Sequence, residues 1–323
     1  MKIVFFGTPD FAATILEKLV KNNFKPVLVV TSQDKPIGRR QELTPPSVKI
    51  EAQKYGLPVL QPESFDIPEF RQVLFNSQPD FIVLAAFGPP FLDKKILNIP
   101  KYGCLNVHPS LLPKYRGASP IPQAILNGEK ETGVTIIRMS EKIDQGDILS
   151  QEKLEILPVD TALTLTNKLA GLGGSLLVKT ISALVGSGIF PRPQGESPTP
   201  YCPQLKKEDG RINWDCPADY IERQTRAFDP WPGTYTFFEK KILKILKTHV
   251  ITDRMSDISS HAINENEPER KAGFVFLTRD GKLAVQAQKG SLVVEILQLE
   301  GKKPVPVQDF LRGHRDIVGA TLE

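Results

Sequence analysis

Three polar side chains stand where they could act together on one reacting group. Asn106 and His108 lie two residues apart in a short apolar run, and because side chains alternate along a strand, the amide and the imidazole are expected on one face. Asp144 follows in a turn-rich stretch. An imidazole exchanges protons near neutral pH, an amide stabilises a developing oxyanion, and a carboxylate balances the charge of the imidazole. This trio suits acyl transfer to an amine.

Each member of the trio also has an interpretation without catalysis. A lone histidine in a strand is often a hydrogen-bonded structural residue, and an aspartate in a turn often serves the turn itself. The sequence contains no GxSxG motif, no evident base for Ser110 and no second histidine at metal-ligand spacing. We therefore expect neither covalent nucleophilic catalysis nor a metal, and both interpretations of the trio stay open.

The elements that must position these residues alternate between strand and helix. Apolar runs at residues 2–6, 27–30 and 81–86 predict strands that are buried on both faces, and helical spacing follows the first strand and recurs over residues 161–185. This pattern predicts an α/β domain with a mostly parallel, Rossmann-like sheet. The first turn, GTPDFA, lacks two glycines of a dinucleotide fingerprint, so NAD or FAD binding is not expected, and Asp10 is expected to cap the first helix.

The composition changes after the long helix. Residues 190–203 contain five prolines and no hydrophobic periodicity, which is typical of a linker. Beyond them a helix at 218–227 and short apolar runs predict a small β-rich barrel or sandwich. We divide the chain into a catalytic domain at 1–189, a linker at 190–208 and a β-rich C-terminal domain at 209–323.

The overall composition is that of a folded protein. Of 323 residues 40% are hydrophobic and 24% charged, and no apolar run approaches the roughly 18 residues that span a bilayer. Three cysteines without metal-ligand spacing agree with a reducing compartment. We expect a cytoplasmic monomer without a membrane partner. The net charge of +4 is compatible with a nucleic-acid partner.

Positive charge is concentrated in two segments. One is the aperiodic stretch at residues 31–47, and the other is the strand-like run that begins near residue 240. Each segment is either a solvated surface or a contact with an anion or a nucleic acid, and the sequence does not decide between these two interpretations. Their basic residues are Lys35, Arg39 and Arg40, then Lys240, Lys241, Lys244 and Lys247.

The segments around the trio resemble the folate-dependent formyltransferase family. LNVHPSLLPKYRGASPI and GVTIIRMSEKIDQGDIL carry this resemblance, and FGTPDFAA, DKPIGR, RINW and RAFDPWPGT extend it over nearly the whole chain. The latter segments are similar to members that formylate methionyl initiator tRNA. The resemblance implies that the formyl group of 10-formyltetrahydrofolate passes to the α-amino group of that RNA through a tetrahedral intermediate. The alternative acceptor is an amino-sugar nucleotide or a purine ribotide.

The resemblance also implies roles for individual residues. His108, oriented by Asp144, would act as the base, and Asn106 would hold the oxyanion. The second domain would be an OB-like barrel that binds tRNA, and Trp231 is expected to pack rather than to stack on a base. Residues 89–90 are both proline, which departs from the family pattern in the pterin pocket. The implied folate contacts are Phe87, Gly88, Ser110, Leu111, Leu112 and Pro113, and the implied tRNA contacts are Lys35, Arg39, Arg40, Lys240, Lys241 and Lys244.

Overall fold

The chain is organised into two units. The computed structural model describes residues 1–38, 41–64, 67–88, 93–186, 188–251 and 271–323. Unit 1 comprises Met1–Pro120, Lys130–Ile156 and Thr164–Pro203, and unit 2 comprises Ile121–Glu129, Leu157–Leu163 and Gln204–Glu323. The domain boundaries inferred from the sequence stay predictions.

Unit 1 is built on a mostly parallel sheet. Its strands are β1 (Ile3–Gly7), β2 (Leu28–Val30), β3 (Lys35–Ile37), β4 (Glu42–Thr44), β5 (Val59–Leu60), β6 (Phe81–Ala85), β7 (Cys104–His108), β8 (Glu131–Arg138) and β9 (Ile148–Glu155). Seven of them join in the order β5-β2-β1-β6-β7-β8-β9, while β3 and β4 form a separate hairpin. The first five strands in this order are parallel, β8 pairs antiparallel with β7, and β9 pairs antiparallel with β8.

Helices connect these strands. They are α1 (Asp10–Lys21), α2 (Ser47–Lys54), α3 (Pro68–Ser77), α4 (Lys94–Leu97), α5 (Pro120–Leu126), which falls in unit 2 from Ile121 onward, and α6 (Ala162–Val185). Every residue of β1 and β6 is buried, as their unbroken apolar sequences predict for central parallel strands.

The turn after β1 is shaped by close packing. A Cβ at Gly7 would lie 2.5 Å from the Cβ of Ala12 and 2.9 Å from the Phe5 ring, so only glycine allows α1 to pack against this strand end. Asp10 is the first residue of α1, and the N-cap position belongs to Pro9 without a side-chain hydrogen bond. The predicted cap is therefore wrong, although a carboxylate in the first turn still suits the helix dipole.

Helix α6 packs directly behind the strand that carries Asn106 and His108. It has the length and apolar composition of a membrane span, but a helix packed in a protein core passes the same test. A Cβ at Gly173 would lie 2.9 Å from Val107, so glycine permits the close approach of helix and strand. The helix thus backs the site-bearing strand.

Unit 2 contains an antiparallel sheet. Its six strands are β10 (Thr234–Phe238), β11 (Lys241–Ile251), β12 (Val275–Leu277), β13 (Leu283–Gln286), β14 (Ser291–Leu299) and β15 (Val305–Pro306). They join as β10-β11-β14-β13-β12, with β15 paired to β14. Its core combines strand residues such as Leu243 and Leu297 with Trp214, whose indole donates to Thr236 Oγ1 at 3.1 Å. The helical elements of unit 2 are a 3-10 turn at Lys207–Gly210, α7 (Ala218–Ala227), α8 (Val307–Leu311) and a 3-10 turn at Arg315–Ile317.

The predicted fold class is confirmed. A mostly parallel Rossmann-like sheet and a smaller β-rich C-terminal unit both form, and the latter follows the alternating pattern of its strands. In β10, Thr234, Thr236 and Phe238 are buried while the residues between them are half-buried.

Candidate active site

Strand β7 presents Asn106 and His108 to one cavity. The strand is parallel to β6 and antiparallel to β8, with Asn106 opposite Leu84 and Ile137. Both side chains line a cavity of about 510 Å³, which is the arrangement predicted from strand alternation. Its wall is lined by Phe87, Gly88, Asn106, His108, Gly117, Asp144, Tyr201 and Cys202, among others.

Asp144 reaches the same cavity from the loop between β8 and β9. Its Oδ1 accepts a hydrogen bond from Asn106 Nδ2 at 3.2 Å and lies 3.6 Å from His108 Nδ1. Its Oδ2 accepts from the Gly117 amide at 2.9 Å. The carboxylate, which is 12% exposed, is therefore held by Asn106 of β7 and by Gly117 of the loop that follows β7. The structure brings the three residues together, while their catalytic roles stay predictions.

The ring of His108 is oriented by a backbone carbonyl. His108 is 3% exposed, and its Nε2 lies 2.9 Å from the carbonyl oxygen of Tyr115. Because a carbonyl only accepts hydrogen bonds, Nε2 carries the hydrogen in this geometry, whether the ring is neutral or charged. Nδ1 is then the nitrogen without a hydrogen when the ring is neutral, and it lies 3.6 Å from Asp144 Oδ1.

The loop after β7 supports the site from behind. Ser110 is fully buried, and its Oγ donates to the Lys114 carbonyl at 2.7 Å. Thr135 Oγ1 donates to the Ser110 carbonyl at 2.6 Å and accepts from the Leu112 amide at 3.1 Å. Leu112 is buried against Ile137 and Ile148. These contacts anchor the chain segment that carries Tyr115 and Gly117.

The six implied folate contacts fall into two groups. Phe87 and Gly88 line the cavity, and the Phe87 ring meets Phe6 edge to face at 5.3 Å between centroids. The lining does not include the four residues of the loop after β7, which are Ser110, Leu111, Leu112 and Pro113. The first three of them contact β8 or β9 instead. Pro89 and Pro90 lie outside the described residues.

Two cysteines near the site are buried thiols. Cys202 lines the cavity, and burial, with a smaller effect of the Asp144 charge, raises its pKa to about 11. Burial alone raises the pKa of Cys104 to about 12. Both are therefore protonated at neutral pH and poor nucleophiles. Among the residues that the structure describes, no three His, Cys, Asp or Glu side chains cluster as a metal site would require.

The implied tRNA contacts lie on exposed surface where they are described. Lys35 is exposed on β3, and Arg39 and Arg40 fall outside the described residues. In unit 2, Lys240, Lys241 and Lys244 are exposed, whereas Lys247 pairs with Glu295 at 2.8 Å.

An aromatic pair shares this face of unit 2. Tyr235 lies directly opposite Lys244, and its ring meets Phe237 edge to face. Trp231 is 56% exposed, so the expectation that it packs is wrong. The surface therefore combines aromatic rings with positive charge.

Sequence reasoning missed several groups that shape the site. The Tyr115 carbonyl and the Gly117 amide act through the backbone, which side-chain motifs do not reveal. Residues 192–203, which we call the strap, lie inside the proline-rich segment that was expected to be a linker. Tyr201 of the strap lines the cavity, and its hydroxyl donates to the Ile143 carbonyl at 3.1 Å.

Family models cover both parts of the chain. The formyl transferase model matches residues 1–181, and the formyl transferase C-terminal domain model matches residues 204–315. A methionyl-tRNA formyltransferase of Citrifermentans bemidjiense is 42% identical over 322 residues, covering 100% of this chain and 96% of the relative. The methionyl-tRNA formyltransferase of Desulforamulus reducens is 42% identical, covering 100% of this chain and 98% of its own length.

Solved structures share the fold. HypX from Aquifex aeolicus in complex with tetrahydrofolic acid matches with a TM-score of 0.62 and 16% identity, over 97% of this chain and 47% of that one. An N-formyltransferase from Helicobacter canadensis, solved with folinic acid and dTDP-3-aminofucose, matches with a TM-score of 0.61 and 21% identity, over 91% of this chain and 98% of that one. The fold, both family models and the two full-length relatives together show that the chain belongs to the methionyl-tRNA formyltransferase family.

Proposed function

We propose that this enzyme transfers the formyl group of 10-formyltetrahydrofolate to the α-amino group of methionyl initiator tRNA. The observation that carries the proposal is the meeting of Asn106, His108 and Asp144 in one cavity, within a chain that is 42% identical to full-length methionyl-tRNA formyltransferases. The relatives' names support the acceptor, and the cavity supports the chemistry.

The first step requires a neutral amine. As the amine nitrogen attacks the formyl carbon, a C–N bond forms and the carbonyl electrons move to oxygen. His108 Nδ1 takes the proton that the nitrogen loses, and the resulting positive ring lies 3.6 Å from the Asp144 carboxylate. The Asp144 charge thus stabilises the protonated ring in the intermediate.

Asn106 is suited to hold the oxyanion. One hydrogen of its amide group points to Asp144 Oδ1, and the amide has a second hydrogen to donate into the cavity. An oxyanion donor of this kind contributes roughly 3 kcal/mol to lowering the barrier.

The second step releases the folate. When the intermediate collapses, the carbonyl forms again, the bond to the folate nitrogen breaks, and His108 returns its proton to that nitrogen. The leaving nitrogen is attached to an aryl ring and is a weaker base than an aliphatic amine, which favours transfer in this direction. No metal is required by these steps.

The pterin of the donor would enter beside Phe87 and Gly88, which line the cavity. For Ser110, Leu111, Leu112 and Pro113 we propose an indirect role, because their contacts hold the loop that carries Tyr115 and Gly117. The tRNA would meet Lys35, Arg39 and Arg40 of one unit and Lys240, Lys241 and Lys244 of the other, mainly through phosphates. We further expect a cytoplasmic monomer. Light scattering at assay concentration would check the monomeric state.

The test offers the donor with three acceptors in separate reactions. Labelled 10-formyltetrahydrofolate is mixed with methionyl initiator tRNA, an amino-sugar nucleotide or a purine ribotide, and the formylated product is quantified. We expect formylated product only in the reaction that contains methionyl initiator tRNA. Uncharged initiator tRNA is the matched control, and product only with the sugar nucleotide or the ribotide would overturn the assignment of the acceptor.

A further inference from the structure

The strap is bound to both segments that carry catalytic groups. At one end, the amide and carbonyl of Arg192 bond to Ile148 at 2.9 and 2.8 Å. At the other end, the Cys202 amide donates to the Arg116 carbonyl at 2.7 Å, and the Ala118 amide donates to the Cys202 carbonyl at 2.8 Å. The strap therefore joins the start of β9 to the loop that follows His108.

Gln194 forms the connection between these two segments. Its Nε2 donates to the carbonyl oxygens of Asp144 at 2.9 Å and Gly146 at 2.7 Å. Its Oε1 accepts from Arg116 Nε at 3.1 Å and Nη2 at 2.8 Å. The amide thus uses both of its hydrogens and both lone pairs of its oxygen. One side chain ties the Asp144 loop to Arg116.

Arg116 is a buried cation that depends on this arrangement. The residue is 7% exposed, and its guanidinium donates to Gln194 Oε1 and to the Gly195 carbonyl at 3.0 Å. Both acceptors are neutral oxygens of the strap, and a buried charge is costly when such partners are lost. Arg116 is thereby fixed, and it offers a rigid anchor for Gln194.

The Asp144 loop combines a positive φ with close packing against the end of β8. Asp144 has φ of +50°, a left-handed conformation that residues with a side chain rarely adopt. At Gly146, a Cβ would overlap the Arg138 carbonyl, so the loop lies directly on the end of β8. Gln194 bonds to the carbonyl of the strained residue itself and of the residue two positions later. These bonds offset the strain on the segment that carries the carboxylate.

We propose that Gln194 is a positioning residue that holds the Asp144 carboxylate against His108 and Gly117. It acts through Asp144 and contacts no substrate, and its effect on turnover rests on the proposed function. The feature that distinguishes this role from general stabilisation is the pair of donor bonds to the Asp144 loop.

Two substitutions separate the donor bonds from the support of Arg116. Gln194→Ala removes both, whereas Gln194→Glu keeps an acceptor for Arg116 but cannot donate to the two carbonyls. We expect both variants to lower kcat about 10- to 100-fold with KM within about threefold, since misplacing a catalytic group by about 1 Å has effects of this size. Restoration of kcat by Gln194→Glu would mean that only Arg116 needs the contact, and would overturn the proposal.

The matched control is Ser197→Ala. Ser197 lies in the same strap, and its hydroxyl donates to the Thr199 carbonyl within the strap rather than to the Asp144 loop. We expect kcat to stay unchanged in this variant. A loss equal to that of Gln194→Ala would assign the effect to the strap in general and contradict a specific role.

A double-mutant cycle tests whether Gln194 acts through Asp144. If it does, Gln194→Ala lowers the rate far less in the Asp144→Ala background than in the wild type. Multiplicative losses would contradict the proposal.

A second readout needs no turnover. The Gly117 amide donates to Asp144 Oδ2 at 2.9 Å, so its hydrogen exchange reports the position of the carboxylate. Faster exchange at Gly117 in Gln194→Ala than in Ser197→Ala supports the proposal, and equal exchange overturns it. If the wild type formylated no acceptor, the proposed function would fail while this measurement still decided the role of Gln194.

Discussion

At the scale of single residues, the proposed mechanism depends on which nitrogen of His108 can accept a proton. The Tyr115 carbonyl accepts a hydrogen bond from Nε2, which keeps a hydrogen on that nitrogen. The other ring nitrogen, Nδ1, faces Asp144. The carboxylate is therefore placed to balance charge at the reacting nitrogen rather than to orient the far side of the ring. This differs from the serine-protease arrangement, in which the carboxylate binds the nitrogen that does not react.

Replacing the groups of the trio should affect rate more than stability. We expect His108→Ala and Asp144→Ala to lower the single-turnover rate about 10²- to 10⁴-fold, because each removes part of the proton transfer. The measurement is formyl transfer to methionyl initiator tRNA, with thermal unfolding of each variant as the control. A rate within a few fold of wild type in a folded variant would exclude that residue from the mechanism.

The raised thiol pKa values predict slow alkylation. Thiolate is the reactive form, and the pKa values of about 11 for Cys202 and about 12 for Cys104 leave both protonated at neutral and mildly alkaline pH. We expect iodoacetamide in mildly alkaline buffer to label these residues much more slowly in the folded protein than in urea, with the rate at Cys202 rising as the pH approaches about 11. Peptide mapping by mass spectrometry measures this, and equal labelling in both states would contradict it.

At the scale of elements, α6 packs closely against β7, and this packing depends on glycine. Two glycines of this helix have different surroundings: a methyl group at Gly171 would meet no described atom within 4 Å, whereas one at Gly173 would lie 2.9 Å from Val107. The helix follows the predicted span closely because its leucines repeat at helical spacing, but its glycines have no such signal. Only the packed structure separates one from the other.

The same substitution at these two glycines should have opposite effects. Gly171→Ala is expected to stabilise unit 1 by about 0.5 to 1 kcal/mol, because alanine loses less backbone entropy in a helix. Gly173→Ala is expected to destabilise it by about 1 kcal/mol or more, because the methyl group overpacks against β7. Thermal unfolding of the pair checks the sign, and a stabilising Gly173→Ala would contradict the close approach.

At the scale of the whole molecule, we expect the acceptor to be recognised by charge distributed over both units. Phosphate contacts release counterions, so affinity falls with salt in proportion to the number of contacts. The sequence contains four lysines between residues 240 and 247, but it does not show which of them are paired with an acidic side chain. Lys247 is paired with Glu295, while Lys240, Lys241 and Lys244 are exposed.

Removing the exposed lysines should weaken tRNA use in a salt-dependent way. We expect the triple change to alanine at Lys240, Lys241 and Lys244 to raise KM for methionyl tRNA and to reduce the slope of log KM against log salt by about 2. The matched control is Lys247→Ala, which should have a smaller effect because its charge is already balanced. An unchanged slope in the triple variant would remove this face from the tRNA surface.

Most of the secondary structure of this protein was predictable from its sequence. Buried strands, the long helix, and the strands of the second unit follow from hydrophobic periodicity, since burial requires apolar side chains at regular intervals. The sharing of one face by Asn106 and His108 follows from strand alternation alone. The hairpin of β3 and β4 and the short helix α4 were missed, because brief elements carry too few residues for a periodic signal.

What only the tertiary structure decided is how distant segments meet. Asp144, Tyr115, Gly117 and Gln194 converge on the His108 side of β7 through hydrogen bonds between segments up to 78 residues apart. Most of those bonds use a backbone atom, which every residue possesses. A sequence specifies side-chain types and local spacing, whereas such convergence depends on the path of the whole chain. The residues of the trio could therefore be named from the sequence, whereas the approach of Asp144 to His108 and the groups that orient the trio could not.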